Sequence, residues 1–390
     1  MNNRLTIVGT CSTGNGEAVG GSGLIARRIF EECAHRGHRV HLVGVGGIPQ
    51  NLSEGVSFHH VEAIHKTGLW PLQQDWMPLA ERLAQVAIET DADVFHAHYL
   101  FPWGWAVWQA QQIVLKLTGK YIPTVVVPAG SDITEFACGP LRLTTKFLLD
   151  SFDECIVYTH GFLEVIEQTL LNIGLGPLAR SPKVVYSPIP NFFVPVDKVQ
   201  ARQHFKIPQS AKVVGIAGNY RNVKHAPDGV RIFAKVRERI NNAYLLLIGT
   251  GPELQECLDI ASELGISEFI ISTGRLENTQ MPMAFSALDV LLQTSQNESF
   301  CLVLAEAGQC LVPSVATRVG GIPEVVEHDV TGLLVPFGNW EQYAQALIYL
   351  LENESVCSMM GAAARQKSLM AFSLERIVDQ YEHVFRNVRR

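Results

Sequence analysis

The sequence predicts an α/β protein built from two doubly wound, Rossmann-like domains that face a cleft. Three observations predict it. The chain has 390 residues, too many for one ordinary hydrophobic core. Short β-branched or apolar runs alternate with helical stretches along its whole length. These runs are continuously apolar, as parallel strands covered on both faces must be. The rhythm halts at a proline-rich segment and then restarts. With 47% hydrophobic and 18% charged residues, the chain has the apolar content for two such cores and falls outside the disordered class.

Taken in order, the first half offers strands at 5–9, 40–45, 56–60, 93–96, 124–128, 154–158 and 184–186, with helices at 24–36, 76–89 and 103–118 between them. The prolines of Pro188-Ile189-Pro190-Asn191 and Pro195 read as a linker. Strands then resume at 212–217, 244–248, 268–272, 290–293, 313–316 and 332–335. This divides the chain into an N-terminal domain (1–192), a C-terminal domain (193–370) and a last segment (371–390) whose helix could pack on either. Ligands of such sheets bind at the C-terminal ends of the strands, so the cleft is the expected site.

Charge and cysteine usage exclude other classes. A net charge of −7 argues against nucleic acid as the main partner, because counterion release needs a basic surface. The eight cysteines are scattered with no CxxC pair, which supports neither zinc nor thioredoxin chemistry and reads as reduced core thiols of a cytoplasmic protein. The N-terminus is too short and too quickly polar for a signal peptide, and no run reaches about 18 apolar residues, so no transmembrane segment is expected. A homodimer is the default expectation for a soluble assembly.

The densest chemical signal is Asn297-Glu298-Ser299-Phe300-Cys301-Leu302-Val303-Leu304-Ala305-Glu306, which follows an apolar strand and opens a helix. Glu306 comes eight residues after Glu298, about two helical turns, which predicts both carboxylates on one face. Paired carboxylates accept hydrogen bonds from vicinal hydroxyls, and free amides near Phe300, Cys301 and Leu302 suit a diphosphate. The bland alternative is an amphipathic helix with a solvated glutamate. Against it, Glu306 follows directly on an apolar run, where an unpaired buried carboxylate is costly. Arg221 and Lys224 are three apart in the loop after the first strand of the second domain, so both can reach one diphosphate; many such pairs are plain solvated surface.

In the first half, Gly20-Gly21-Ser22-Gly23 leads into a helix and permits close approach of a phosphate to Gly21 and Ser22. A dinucleotide fingerprint is the rival, but the second strand, Arg39-Val40-His41-Leu42-Val43-Gly44, ends without the acid that holds a ribose. His96, His98 and Tyr99 end one strand and Ser131 and Asp132 follow another, which places two polar clusters at the cleft. The alternative for the histidines is a structural role. Trp103, Trp105 and Trp108 fit a helix face in the core better than an apolar acceptor surface.

The run from Glu298 through Thr317-Arg318-Val319-Gly320-Gly321-Ile322-Pro323-Glu324-Val325 and Thr331-Gly332-Leu333-Leu334-Val335 resembles the donor half of GT-B glycosyltransferases of family 4, which retain anomeric configuration. The resemblance implies that Glu298 contacts hydroxyls of the donor sugar and Glu306 the ribose. It implies that Arg221 and Lys224 neutralise the diphosphate, a job a metal does elsewhere, so that neither metal nor other cofactor is needed. Gly21, Ser22, Phe300, Cys301 and Leu302 complete the donor site, and Gly274-Arg275-Leu276 packs the base through its backbone. The first half resembles one subgroup in particular, the N-acetylglucosaminyl-L-malate synthases, which implies acceptor contacts from Tyr99, Ser131, Asp132 and Asn191. Two positions depart from the family: Ala129 stands where a histidine is usual, and Cys301 where a small glycine is.

The expected activity is transfer of a sugar, N-acetylglucosamine from its UDP donor, onto an acceptor hydroxyl such as that of malate, with retention. Domain closure about the linker near Asn191 would exclude water. A GDP-mannose or UDP-glucose transferase making a lipid-linked or capsular glycan shares the C-terminal motifs. A nucleotide-sugar epimerase fits them less well, and a nucleotide-binding scaffold without activity is the reading from another class.

Overall fold

The computed structural model describes residues 4–11, 13–14, 17–18, 20–45, 52–61 and 76–389. The chain divides into two compact units: residues 1–188 with 374–390, and residues 189–373. The divisions fall at 188/189 and 373/374, where the sequence suggested 192/193 from its prolines and 370/371 from its last helix, so Asn191 belongs to the second unit.

Unit 1 contains β1 (Thr6–Thr10), a short hairpin of β2 (Thr13–Gly14) and β3 (Glu17–Ala18), then β4 (Arg39–Val45), β5 (Val56–Val61), β6 (Val94–His98), β7 (Thr124–Val127), β8 (Glu154–Val157) and β9 (Lys183–Val184). Seven of these form one sheet in the order β5-β4-β1-β6-β7-β8-β9. Its pairings are parallel, with Ile7 opposite both Val40 and Val94. Between β1 and the first helix, residues 12, 15, 16 and 19 lie outside the described residues. The first helix, Gly20–His35, starts inside the glycine run rather than at 24. Glycine is a poor helix former, so propensity hides those first four positions. The helix Leu374–Val388 buries Ile377, Val378, Tyr381, Val384 and Phe385 in unit 1.

Unit 2 repeats the plan with β10 (Lys212–Asn219), β11 (Ala243–Thr250), β12 (Ile270–Gly274), β13 (Val290–Gln293), β14 (Ser314–Thr317) and β15 (Gly332–Val335). Their order is β12-β11-β10-β13-β14-β15, again with parallel pairing. β13, β14 and β15 are buried throughout, as strands covered on both faces should be. The core joins Val214, Leu245, Val290, Val315 and Val335 to Tyr343 and Leu347 of a covering helix.

Both sheets are two parallel-sheet Rossmann-like domains with interleaved helices. In each the strand order reverses beside the first strand, between β1 and β6 and between β10 and β13. That switch point leaves a crevice beyond the strand C-termini, because consecutive connections depart to opposite sides. No helix among the described residues is long and apolar enough to cross a membrane.

Candidate active site

At the switch point of unit 2, β10 ends at Asn219 and the chain turns through Tyr220 to His225 before the helix Ala226–Arg239. Tyr220 anchors this loop. Its ring is buried, its hydroxyl donates to the Ile216 carbonyl at 3.0 Å, and its amide donates to Thr250 O at 2.9 Å. Gly251 packs on the same spot: a Cβ there would lie 2.5 Å from both N and O of Tyr220, so only glycine fits. A tight turn, Lys224 N to Arg221 O at 2.7 Å, then sets the two cations at its ends. Arg221 is exposed, with no acidic partner in ion-pair range among the described residues. Lys224 is half-buried, and its Nζ lies 2.5 Å from Glu298 Oε1.

β13 supplies the other half. From Gln293 the chain runs through Thr294, whose hydroxyl donates to the carbonyls of Lys224 (3.0 Å) and His225 (2.9 Å). Gln296 N donates to Val223 O at 2.9 Å, so the two loops are stitched together. Glu298 is only 8% exposed. Its Oε1 accepts from Ser295 Oγ at 2.8 Å and Gln293 Nε2 at 3.3 Å besides Lys224, while Gln293 Nε2 also donates to Ser295 Oγ at 2.6 Å. Burial alone would discourage the charge on Lys224. The Glu298 carboxylate outweighs that cost and holds its pKa above the ordinary lysine value.

The helix after Glu298 begins only at Leu302 and runs to Gln309. Cys301 precedes it in the left-handed region, at φ +77°, the conformation glycine adopts freely. Glu298 is therefore not on that helix, and the two-turn spacing expected to align it with Glu306 does not apply. Glu306 is buried within the helix itself, which is tied to the helix Glu354–Ala371 by Ser368 Oγ donating to Ala305 O at 3.0 Å. Phe300 is buried edge-on against Phe372, with centroids 5.0 Å apart. Leu302 opens the helix with no side-chain cap; the Leu304 amide donates to Cys301 O at 3.2 Å, which leaves the first-turn amides of Leu302 and Val303 without an intrahelical acceptor. Arg275 is exposed just after Gly274, at the end of the edge strand β12. Unit 2 thus brings Arg221, Lys224 and Glu298 together. Gln293 and Ser295, which position Glu298, carry no sequence signal beyond lying at a strand end.

Unit 1 places Gly21 and Ser22 in the first turn of the helix that follows β1 and its hairpin. Tyr99 and Ser131 are hydrogen bonded through their hydroxyls. Asp132 is 1% exposed, and its carboxylate accepts amides from Leu100 (3.0 Å), Ala129 (3.1 Å) and Gly130 (2.8 Å). It therefore ties two strand-end loops together. His96 and His98 were expected at a cleft-facing strand end, but both are fully buried. Period-two spacing puts them on one face, where Tyr381 and Phe385 of the last helix pack against His96. The tryptophans pack as partly buried neighbours of the core, with Trp105 and Trp108 stacked at 5.3 Å. Asn191 is exposed in unit 2.

A cavity of about 360 Å³ in unit 2 lies at the opposite, N-terminal edge of the sheet, beside Lys212 and Asp289. Its charged groups satisfy one another, Arg202 and Lys198 on Asp289 and Lys212 on Glu354. It is not the candidate site. Among the described residues no three His, Cys, Asp or Glu side chains are grouped to hold a metal ion.

Comparison with known proteins follows the two units. Residues 197–367 match the glycosyl transferases group 1 family and residues 20–171 a glycosyl transferase 4-like domain. The N-acetyl-alpha-D-glucosaminyl L-malate synthase of Bacillus anthracis is 32% identical over 378 residues, 96% of this chain and 95% of that protein. A D-inositol 3-phosphate glycosyltransferase of Mycolicibacterium smegmatis is 27% identical over 76% of this chain and 68% of its own length. Among solved structures, a sucrose-phosphate synthase from Thermosynechococcus elongatus superposes with a TM-score of 0.83 at 20% identity over 99% of both chains. Anabaena HepE in complex with UDP and glucose gives 0.79 at 19% over 98% of this chain and 99% of its own. Likeness along the full length, with one domain match in each unit, makes this chain a hexosyltransferase of the group 1, family 4 glycosyltransferases with the GT-B fold.

Proposed function

We propose that this glycosyltransferase moves N-acetylglucosamine from its UDP donor onto the hydroxyl of a small hydroxy acid such as malate, with retention and without a metal. The observation that carries the donor half is the arrangement of Arg221 and Lys224 beside a buried Glu298 at the switch point of unit 2. The name of the B. anthracis relative supports the sugar and the acceptor class. Arg221 and Lys224 take the diphosphate and stabilise its charge as the bond to the sugar breaks. Glu298 accepts hydroxyls of the sugar, and Glu306 those of the ribose. The first-turn amides at Leu302, with Phe300 and Cys301 before it, and those at Gly21 and Ser22, complete the donor contacts. The base packs on the backbone at Arg275. Tyr99, Ser131 and Asn191 contact the acceptor, and Asp132 holds the loop that presents Ser131. In a retaining reaction attack and departure share one face, so the leaving diphosphate oxygen takes the proton of the acceptor hydroxyl. The eight free thiols fit work in the cytoplasm.

Titration calorimetry with UDP tests the site. Arg221→Ala and Glu306→Ala should each weaken binding by about tenfold or more, the loss of one charge-assisted contact. Unchanged affinity in both refutes the assignment. A donor panel of UDP-N-acetylglucosamine, UDP-glucose and GDP-mannose, assayed for nucleotide release with and without malate, tests the substrates.

A further inference from the structure

We propose that Glu298 is the built-in counter-anion of Lys224, and that the site tells a UDP-sugar from UDP by whether a sugar draws this carboxylate away. The inference rests on the donor-site reading above. A surface ion pair would carry no such weight, but this one is constructed. Ser295 and Gln293, both buried, converge on the same Oε1 that meets Lys224 at 2.5 Å, so the carboxylate is held on the ammonium from behind. The loop bearing Lys224 is fixed in turn, because Thr294 binds its carbonyl and Arg221 its amide. A carboxylate this deeply buried must be compensated, and Lys224 does it.

Among the described residues of these two loops, a diphosphate arriving alone finds one cation outside an ion pair, Arg221, and one already neutralised, Lys224. It also meets the Glu298 charge at close range, which repels it. A diphosphate that carries a sugar is different. Sugar hydroxyls donate to the carboxylate and replace the ammonium as its compensation, which frees Lys224 for the phosphate oxygens. Once the sugar has been transferred those hydroxyls depart, Lys224 and Glu298 re-form their pair, and UDP is released. Lys224 thus alternates between two anions, and Glu298 acts on product release as a positioning residue through Lys224.

Calorimetry on the full chain, with UDP, uridine and UDP-N-acetylglucosamine as probes, tests this. Glu298→Gln keeps the shape and an acceptor for Ser295 but removes the charge. It should bind UDP about tenfold more tightly than the parent while uridine binds unchanged, and the preference for the UDP-sugar over UDP should shrink. Ser295→Ala, which loosens the carboxylate without altering any charge, should move UDP affinity the same way by about two- to threefold and covers the case in which Glu298→Gln folds poorly. UDP affinity equal to or below the parent's in both variants overturns the proposal, provided Lys224→Ala weakens UDP. If Lys224→Ala leaves UDP affinity unchanged, the donor-site reading itself fails and the proposal falls with it.

Discussion

Gly320 touches the backbone of Glu298 so closely that no other residue fits there. Its φ is +48°, and a Cβ would come 2.2 Å from the Glu298 carbonyl oxygen, which also accepts the Gly321 amide at 2.8 Å. Gly320→Ala should therefore cost about 2 kcal/mol from left-handed strain and displacement of the Glu298 loop, read as a lower urea midpoint. Cys301 presents the opposite case, a side chain tolerated at φ +77°. Phe300 locked on Phe372 before it and the helix from Leu302 after it over-determine the turn. Burial pushes its thiol well above the usual range, so it stays protonated and unreactive.

β6 shows what a strand's sequence displays and what it hides. Its apolar run and its place in the rhythm were legible, as were β13 and β15, whose ends match the apolar runs at 290–293 and 332–335. The common face of His96 and His98 was legible too. Their burial was not, because the covering helix lies nearly three hundred residues along the chain and periodicity reports only local order. The same limit hid Ser295 and Gln293 behind Glu298, while the charged residues Arg221, Lys224 and Glu298 stood out by type and spacing. The buried chain from Tyr158 Oη to His98 Nε2 (2.6 Å), and from His98 Nδ1 to His96 Nε2 (3.0 Å), has a consequence for acid stability. With the phenol as donor, both histidines are neutral. Burial pushes His96 down to about 3 and His98 well below its ordinary 6.5. The unfolded chain then binds more protons than the folded one once pH drops below about 6.5, so the stability they contribute is complete above that value and lost as pH falls. Each histidine should cost about 1.4 kcal/mol per pH unit well below it. Calorimetric unfolding scans between about pH 7.5 and pH 5 should show the melting temperature dropping, and a His96→Gln, His98→Gln double variant should flatten the slope.

At the scale of the molecule, unit 1 is built from two separate stretches of chain and unit 2 from one. The helix Leu374–Val388 contributes five buried apolar side chains to unit 1, at roughly 2 kcal/mol each, a sum on the order of 10 kcal/mol and as large as a whole domain's stability. Removing residues 374–390 should abolish the unfolding transition of unit 1 and leave that of unit 2, which calorimetry resolves as one endotherm lost. The points where the chain enters and leaves unit 2 are joined, since Ile189 N donates to Phe372 O at 2.8 Å. Along the chain, unit 2 sits inside unit 1 with its ends meeting, the arrangement that lets one domain be spliced into another or be cut out behind a short peptide bridge. It also sets the order of events on the ribosome. Unit 2 has all its residues as soon as residue 373 emerges, whereas unit 1, translated first, waits for its final helix with His96 uncovered.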